Sequence, residues 1–255
     1  MHRGWARLYG LSVSLGFGML RRHGPSREAV IRIAIPLDPS RYLELPWALT
    51  ALGAARGDRV LDLASPKLLA VSLARRGVEA LSVDLLESEV ELWRRLAPGV
   101  KFEVADGRAL PYADASFERA YSISVLEHIP EGGDQQALAE LARVVVPGGR
   151  IVLTVPYADA YYEDWRDRAV YSPADRDGRS FFERWYDREH LDRLVGSAPV
   201  REVSRELVRM EPNWSRRYNT SFPRLLPLGP VFGFLGHEVR GPGGDIARLI
   251  LERSR

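Results

Sequence analysis

Between Arg59 and Pro156, short apolar runs alternate with helix-patterned stretches, and this alternation limits the possible folds more than any other feature of the chain. Arg59-Val-Leu-Asp-Leu63 is an apolar run with a charged start, the pattern of a strand buried on both faces. Ser65-Pro66 reads as an N-cap and a first helical residue, because proline lacks only an N–H that has no partner there. Leu68 to Arg76 supplies the helix and Gly77 its stop. Ala80 to Asp84 reads as the second strand; Val90, Trp93 and Leu96 mark a helix that Pro98-Gly99 ends. Further strands are expected at Val100 to Val104, Phe117 to Val125 and Arg150 to Val155. A helix with Leu138, Leu141, Ala142 and Val145 on one face, stopped by Pro147-Gly148-Gly149, precedes the last of them. Such repetition implies right-handed βαβ crossovers and an α/β fold: a parallel sheet with helices on both faces.

Outside this region the pattern loosens. Residues 1–48 read as an N-terminal extension or cap, and 49–255 as the main domain. Within the latter, 157–185 is a variable segment too long for a plain connection, and 211–244 an insert with an apolar stretch at 222–235. Tyr186 to Val195 reads as a late helix; Val200 to Met210 and Asp245 to Glu252 read as two late strands. The stretch from Trp5 to Leu20 is apolar behind charges, as in a signal peptide, but has no small-residue cleavage site, and Gly10, Gly16 and Gly18 are expected to break a helix there. A cytoplasmic location is expected.

Composition removes several function classes. The 255 residues include no cysteine, which excludes disulfides, thiolate catalysis and cysteine-ligated metals. The five histidines are scattered without metal-ligand spacing, so no metal is expected. Nearly every basic residue is arginine, Lys67 and Lys101 being the only lysines, and the arginines are interleaved with acids. No basic stripe suited to nucleic acid results, and no apolar run is long enough to span a membrane.

Asp62, Asp84 and Asp106 stand 22 residues apart, one βα unit each, near the carboxyl ends of the first three strands. Ligands of open parallel sheets bind outside that edge, where the strand order reverses. A carboxylate ending the second strand suits ribose hydroxyls, and one after the third suits an adenine amine. Taken singly, each is equally an ordinary turn or cap residue.

The block from Asp106 through Leu126-Glu-His-Ile-Pro130, continued by Leu138-Ala-Glu-Leu-Ala-Arg-Val-Val-Val-Pro-Gly-Gly-Arg-Ile-Val-Leu-Thr-Val-Pro156, resembles class I S-adenosylmethionine (SAM)-dependent methyltransferases. The resemblance covers roughly residues 57–156. It implies a Rossmann-like, doubly wound seven-stranded sheet, mostly parallel with an antiparallel last strand, and SAM as cofactor with S-adenosylhomocysteine as product. Asp84, with Leu85 beside it, would hold the ribose; Asp106 and Gly107 the adenine; Ser122, Ser124 and Asp62 the methionine end.

In one place the chain departs from that pattern. Where the family has a glycine-rich turn, it reads Leu63-Ala64-Ser65-Pro66-Lys67. Ala64 and Ser65 are small enough to keep a close approach, Pro66 starts the helix, and Lys67 offers a charge to the methionine carboxylate. The competing reading is a degenerate turn in a scaffold that has lost SAM, with Lys67 solvated.

Methyl transfer to oxygen gains from a base, and His128 is the candidate, against a purely structural role. Tyr157, Tyr161, Tyr162 and Trp165 are candidates to wall a substrate pocket, with Tyr42 and Trp47 closing it from above; equally, these aromatics pack the extension onto the core. The expected activity is methylation of a small organic acceptor, at oxygen, in bacterial specialised or envelope metabolism. The alternatives are a SAM-fold enzyme of non-methylating chemistry (cyclisation, rearrangement or decarboxylation) and a non-catalytic scaffold. The stretch 222–235 is a candidate lid, dimer patch or lipid contact.

Overall fold

The computed structural model of the chain describes residues 4–34, 37, 41–167, 175–176, 178–211 and 237–255. Its centre is an eight-stranded sheet of order β10-β9-β11-β5-β4-β1-β2-β3. The parallel part contains β1 (Arg59–Leu63), β2 (Glu79–Asp84), β3 (Lys101–Val104), β4 (Phe117–Ile123) and β5 (Val145–Pro156). β11 (Ile246–Arg253) lies antiparallel between β5 and β9 (Val200–Glu211). The antiparallel late strand thus stands as expected, but the strand count is eight rather than seven. The extra strand, β10 (His237–Arg240), returns from the 211–244 insert to pair with the end of β9. The apolar stretch 222–235 lies outside the described residues.

Strand alternation divides the core between the sheet's two faces. On β1, Val60 joins one cluster while Leu61 and Leu63 join the other; on β5, Val152 opposes Ile151, Leu153 and Val155 in the same way. One face carries α1 (Trp5–His23), α2 (Arg27–Ala34), α3 (Arg41–Leu52), α4 (Leu68–Ala74) and α5 (Glu87–Leu96); the other carries α6 (Gly133–Val144) and α7 (Arg188–Gly196).

The segment in which glycines were expected to break a helix is the longest helix described, α1. Packing explains this. A Cβ at Gly16 would come within 2.9 Å of the Ala29 carbonyl oxygen and 2.7 Å of Ile33 Cγ1, so glycine lets α2 lie directly on α1. Each interior glycine costs a helix about 1 kcal/mol, comparable to or less than the burial of one leucine, and α1 buries Leu8, Leu11 and Leu15. The extension is therefore continuous with the core, and the boundary expected at residue 48 falls inside α3.

Two more local expectations are corrected. β5 starts at Val145, not Arg150, because Pro147-Gly148-Gly149 forms an irregularity within the strand: Phe117 pairs with Val145, and the ladder resumes at Arg119 with Arg150. The variable segment also contains a separate sheet, in which β8 (Arg179–Trp185) pairs antiparallel with β6 (Tyr162–Arg166) and β7 (Asp175–Arg176). Among the described residues no helix is long and apolar enough to cross a membrane.

Candidate active site

Strand order reverses between β1 and β4, and the candidate residues converge at the carboxyl ends around that point. Asp62 is fully buried. Its Oδ1 accepts from the Ser65 backbone N–H at 3.0 Å and its Oδ2 from Ser82 Oγ at 2.7 Å. Burial pushes its carboxyl above the ordinary range, against the opposing pull of Lys67 and the two serines. Asp62 therefore braces the turn from within.

The turn itself is bent. Ala64 takes a left-handed backbone at φ 52° and donates its N–H to the Val83 carbonyl at 2.8 Å. Ser65 does not cap the following helix, because its Oγ accepts the Ile123 N–H at 2.9 Å, tying the turn to β4. Pro66 accordingly precedes α4 instead of opening it, and Lys67 is the residue at the helix start.

Lys67 is not solvated. Its side chain is 4% exposed, with Nζ 2.7 Å from Asp84 Oδ2 and 3.1 Å from the Ser65 carbonyl. Asp84 ends β2, and its other oxygen accepts the Leu86 N–H at 3.0 Å. Leu85 beside it is exposed. One strand further on, the Ala105 N–H reaches the Asp84 carbonyl at 3.1 Å, which sets Asp106 next along the rim. The Arg108 guanidinium clasps Asp106 at 2.7 Å and holds its carboxyl below the usual range. Gly107 packs closely on the first strand: a Cβ there would stand 2.7 Å from Leu63 Cδ1 and push that side chain aside.

Beside the turn, Ser122 is buried with its Oγ 3.3 Å from the Leu63 carbonyl. Ser124, left-handed at φ 52°, donates to Glu44 Oε1 at 2.6 Å; Thr154 Oγ1 donates to the same oxygen at 2.6 Å, and Arg41 pairs with Oε2 at 2.6 Å. Glu44 was missed by the sequence reading. Its only signal was a lone acid in the apolar helix run from Tyr42 to Leu52.

A one-turn helix, Leu126–His128, follows β4 under β8. His128 Nδ1 lies 2.6 Å from the Phe182 carbonyl, and the ring meets Phe182 edge-on. Burial lowers the imidazole to a pKa of about 4, so it is neutral at pH 7. Glu127, also buried, is pushed well above the ordinary carboxyl range by burial, with Glu183 and Glu44 adding to it.

The six aromatics do not form one pocket wall. Tyr42 and Trp47 are core residues, because α3 lies between α1 and the sheet: Tyr42 packs edge-on to Trp5 at 5.5 Å, and the Arg248 guanidinium lies 5.2 Å from the Trp47 ring. Tyr157 bridges to Tyr186 at the end of β5. Tyr161 stacks on His190 at 3.9 Å, Tyr162 stacks on Trp185 at 5.7 Å, and Trp165 meets Phe181 edge-on. Tyr161 and His190 also line a polar cavity of about 330 Å³ with Asp134, Arg184, Tyr186 and Arg193. Its floor holds the buried Arg184–Asp134 ion pair, to which the Tyr186 hydroxyl adds a bond at 2.8 Å.

As a set of acceptors the rim suits an adenine nucleoside: one carboxylate ends β2, another follows β3, and both side chains retain some exposure. At Asp84 a ribose would meet Lys67, which already holds Oδ2. No group of three or more His, Cys, Asp or Glu suited to a metal occurs among the described residues.

A methyltransferase domain family matches residues 61–153. The chain is 30% identical over 192 residues to an uncharacterized 37.1 kDa protein in transposon TN4556 of Streptomyces fradiae, covering 72% of this chain and 49% of that protein. It is 36% identical over 115 residues to a demethylmenaquinone methyltransferase of Beutenbergia cavernae, covering 43% and 47% respectively. It thus spans about half the length of these relatives. Among solved structures, a SAM-dependent methyltransferase from Methanosarcina mazei superposes with a TM-score of 0.55 at 14% identity, covering 79% of this chain and 94% of that one. At that identity the likeness is one of fold.

Proposed function

We propose that the chain, whose residues 61–153 match a methyltransferase domain family, is a class I SAM-dependent methyltransferase that methylates a small organic acceptor, at oxygen, with SAM as donor. The observation that carries this reading is the position of Asp84 at the carboxyl end of β2, with Asp106 beyond the neighbouring strand at the strand-order reversal. Asp84 would take the ribose hydroxyls, and Asp106 with Gly107 the adenine. The methionine end would lie by the turn at Ala64–Lys67 and by Ser124, whose hydroxyl Glu44 orients. SAM supplies a methyl group already activated on a sulfonium, so the chain's part is chiefly alignment and exclusion of water.

His128 suits a hydroxyl acceptor. It is neutral at pH 7, and with its Nδ1 proton on the Phe182 carbonyl the tautomer accepts a proton at Nε2. β8 lies against the one-turn helix that carries His128, and α3 is tied to Ser124 through Glu44. Demethylmenaquinone and ubiquinone-biosynthesis methyltransferases among the relatives support an acceptor of the small-molecule class. We place the protein in the cytoplasm, in bacterial specialised or envelope metabolism. Titration calorimetry with S-adenosylhomocysteine tests the reading: saturable binding supports it, and no binding at roughly 1 mM ligand would favour a scaffold that has lost the cofactor.

A further inference from the structure

Lys67 stands where the family pattern has only glycine-rich backbone, and it occupies the group that a nucleoside would need. Its ammonium lies between Asp84 Oδ2 at 2.7 Å and the Ser65 carbonyl at 3.1 Å, with the lysine side chain 4% and the aspartate 13% exposed. Asp84 Oδ1 is already engaged by the Leu86 N–H. A ribose that takes Oδ2 must compete with Lys67 for it. A displaced ammonium at so buried a position needs another anion, since an unpaired buried charge is strongly unfavourable. Asp62 is a poor replacement: both of its oxygens already hold donors within the turn.

We propose that Lys67 is an exchangeable counter-ion that makes the site selective for nucleosides carrying a carboxylate. Before ligand arrives it neutralises Asp84. When ribose hydroxyls take Asp84, the ammonium keeps its hold on the Ser65 carbonyl and transfers to the α-carboxylate of the ligand's amino-acid arm. This rests on the cofactor reading above. A ligand with the same nucleoside but no carboxylate must displace Lys67 without giving it a partner, so it binds poorly. One residue thereby opposes the first half of the ligand and rewards the second.

The test compares S-adenosylhomocysteine with 5′-methylthioadenosine, which keeps the nucleoside and the thioether but lacks the carboxylate. Both are titrated calorimetrically into the wild type, Lys67→Met and Lys67→Arg. The wild type should prefer S-adenosylhomocysteine. Lys67→Met should weaken that ligand about tenfold and tighten 5′-methylthioadenosine about tenfold, two shifts of opposite sign from one substitution. Lys67→Arg should retain the preference. Shifts in the same direction for both ligands, or no shift for either, would overturn the proposal, because a merely structural lysine moves both together. The wild-type comparison stands even should Lys67→Met fail to fold: equal affinity for the two ligands overturns the exchange by itself. If the wild type binds neither ligand, the cofactor reading falls and takes this proposal with it.

Discussion

Ser124 Oγ donates to Glu44 Oε1 over 2.6 Å, joining residues 80 positions apart in the sequence. The bond fastens the end of β4 to α3, and Thr154 of β5 adds a second hydroxyl to the same oxygen. The apolar N-terminal extension is thus bound to the rim of the sheet by a buried polar cluster. Glu44→Ala would remove the acceptor of two hydroxyls and the carboxylate of the Arg41 ion pair. A loss of about 2 to 4 kcal/mol in stability is expected, read as a lower urea midpoint with unchanged slope. A loss below 0.5 kcal/mol, within the range of an ordinary surface change, would contradict the placement of Glu44.

Ala64 pays a conformational cost at φ 52° that glycine would not. Ala64→Gly should raise stability by about 1 kcal/mol, since the left-handed penalty exceeds the entropy that glycine adds to the unfolded chain. Binding of S-adenosylhomocysteine should be unchanged or tighter. A clear fall in melting temperature would show that this turn does not need the left-handed conformation.

Glu127 is buried and held well above the ordinary carboxyl range, so the folded chain keeps its proton where the unfolded chain has released it. Its contribution is fully present below the unfolded pKa of about 4.3 and is lost as pH rises toward the folded value. Glu127→Gln mimics the protonated form at every pH. Its stability relative to the wild type should therefore increase with pH above about 4.3, by at most about 1.4 kcal/mol per unit. Denaturant midpoints at pH 5, 6 and 7 read this directly, and a pH-independent difference would contradict a neutral Glu127.

For His128 the sign is opposite. Burial depresses the folded imidazole to about 4, below the unfolded value of about 6.5, so the stability tied to the neutral ring is complete above pH 6.5. It is lost as pH falls toward 4. His128→Gln, which does not titrate, should therefore close its stability gap to the wild type between pH 6.5 and 4. If His128 is the base, turnover should also show no rise between pH 6 and 8, because the base is already unprotonated. A rising limb with a midpoint near 6.5, removed by His128→Gln, would mean that the imidazole is not held neutral.

The main sheet was legible in the sequence because its strands are buried on both faces, so that runs such as Val60–Leu63 and Ile151–Val155 signal them without tertiary information. Asp84 was legible as the end of the apolar run of β2, and Asp106 as an acid two residues beyond β3, a strand that buries Phe102 alone of its four residues. What could not be read depends on contacts distant in sequence. Lys67 meets Asp84 because β1 and β2 pair in register, which aligns the turn after one with the end of the other. The helix through Gly10, Gly16 and Gly18 forms because α2 lies against it, a fact invisible to helix propensity. Tyr162 and Trp165 read equally as pocket or packing residues from sequence, and only the pairing of β6 with β8 sets Tyr162 stacked on Trp185 and Trp165 edge-on to Phe181.

The most direct test of the cofactor assignment is the affinity of Asp84→Ala for S-adenosylhomocysteine, measured by calorimetry beside the wild type. Loss of two ribose hydrogen bonds to a charged acceptor should weaken binding roughly 10- to 100-fold. Equal affinity in the two proteins would show that no ribose sits at the end of β2.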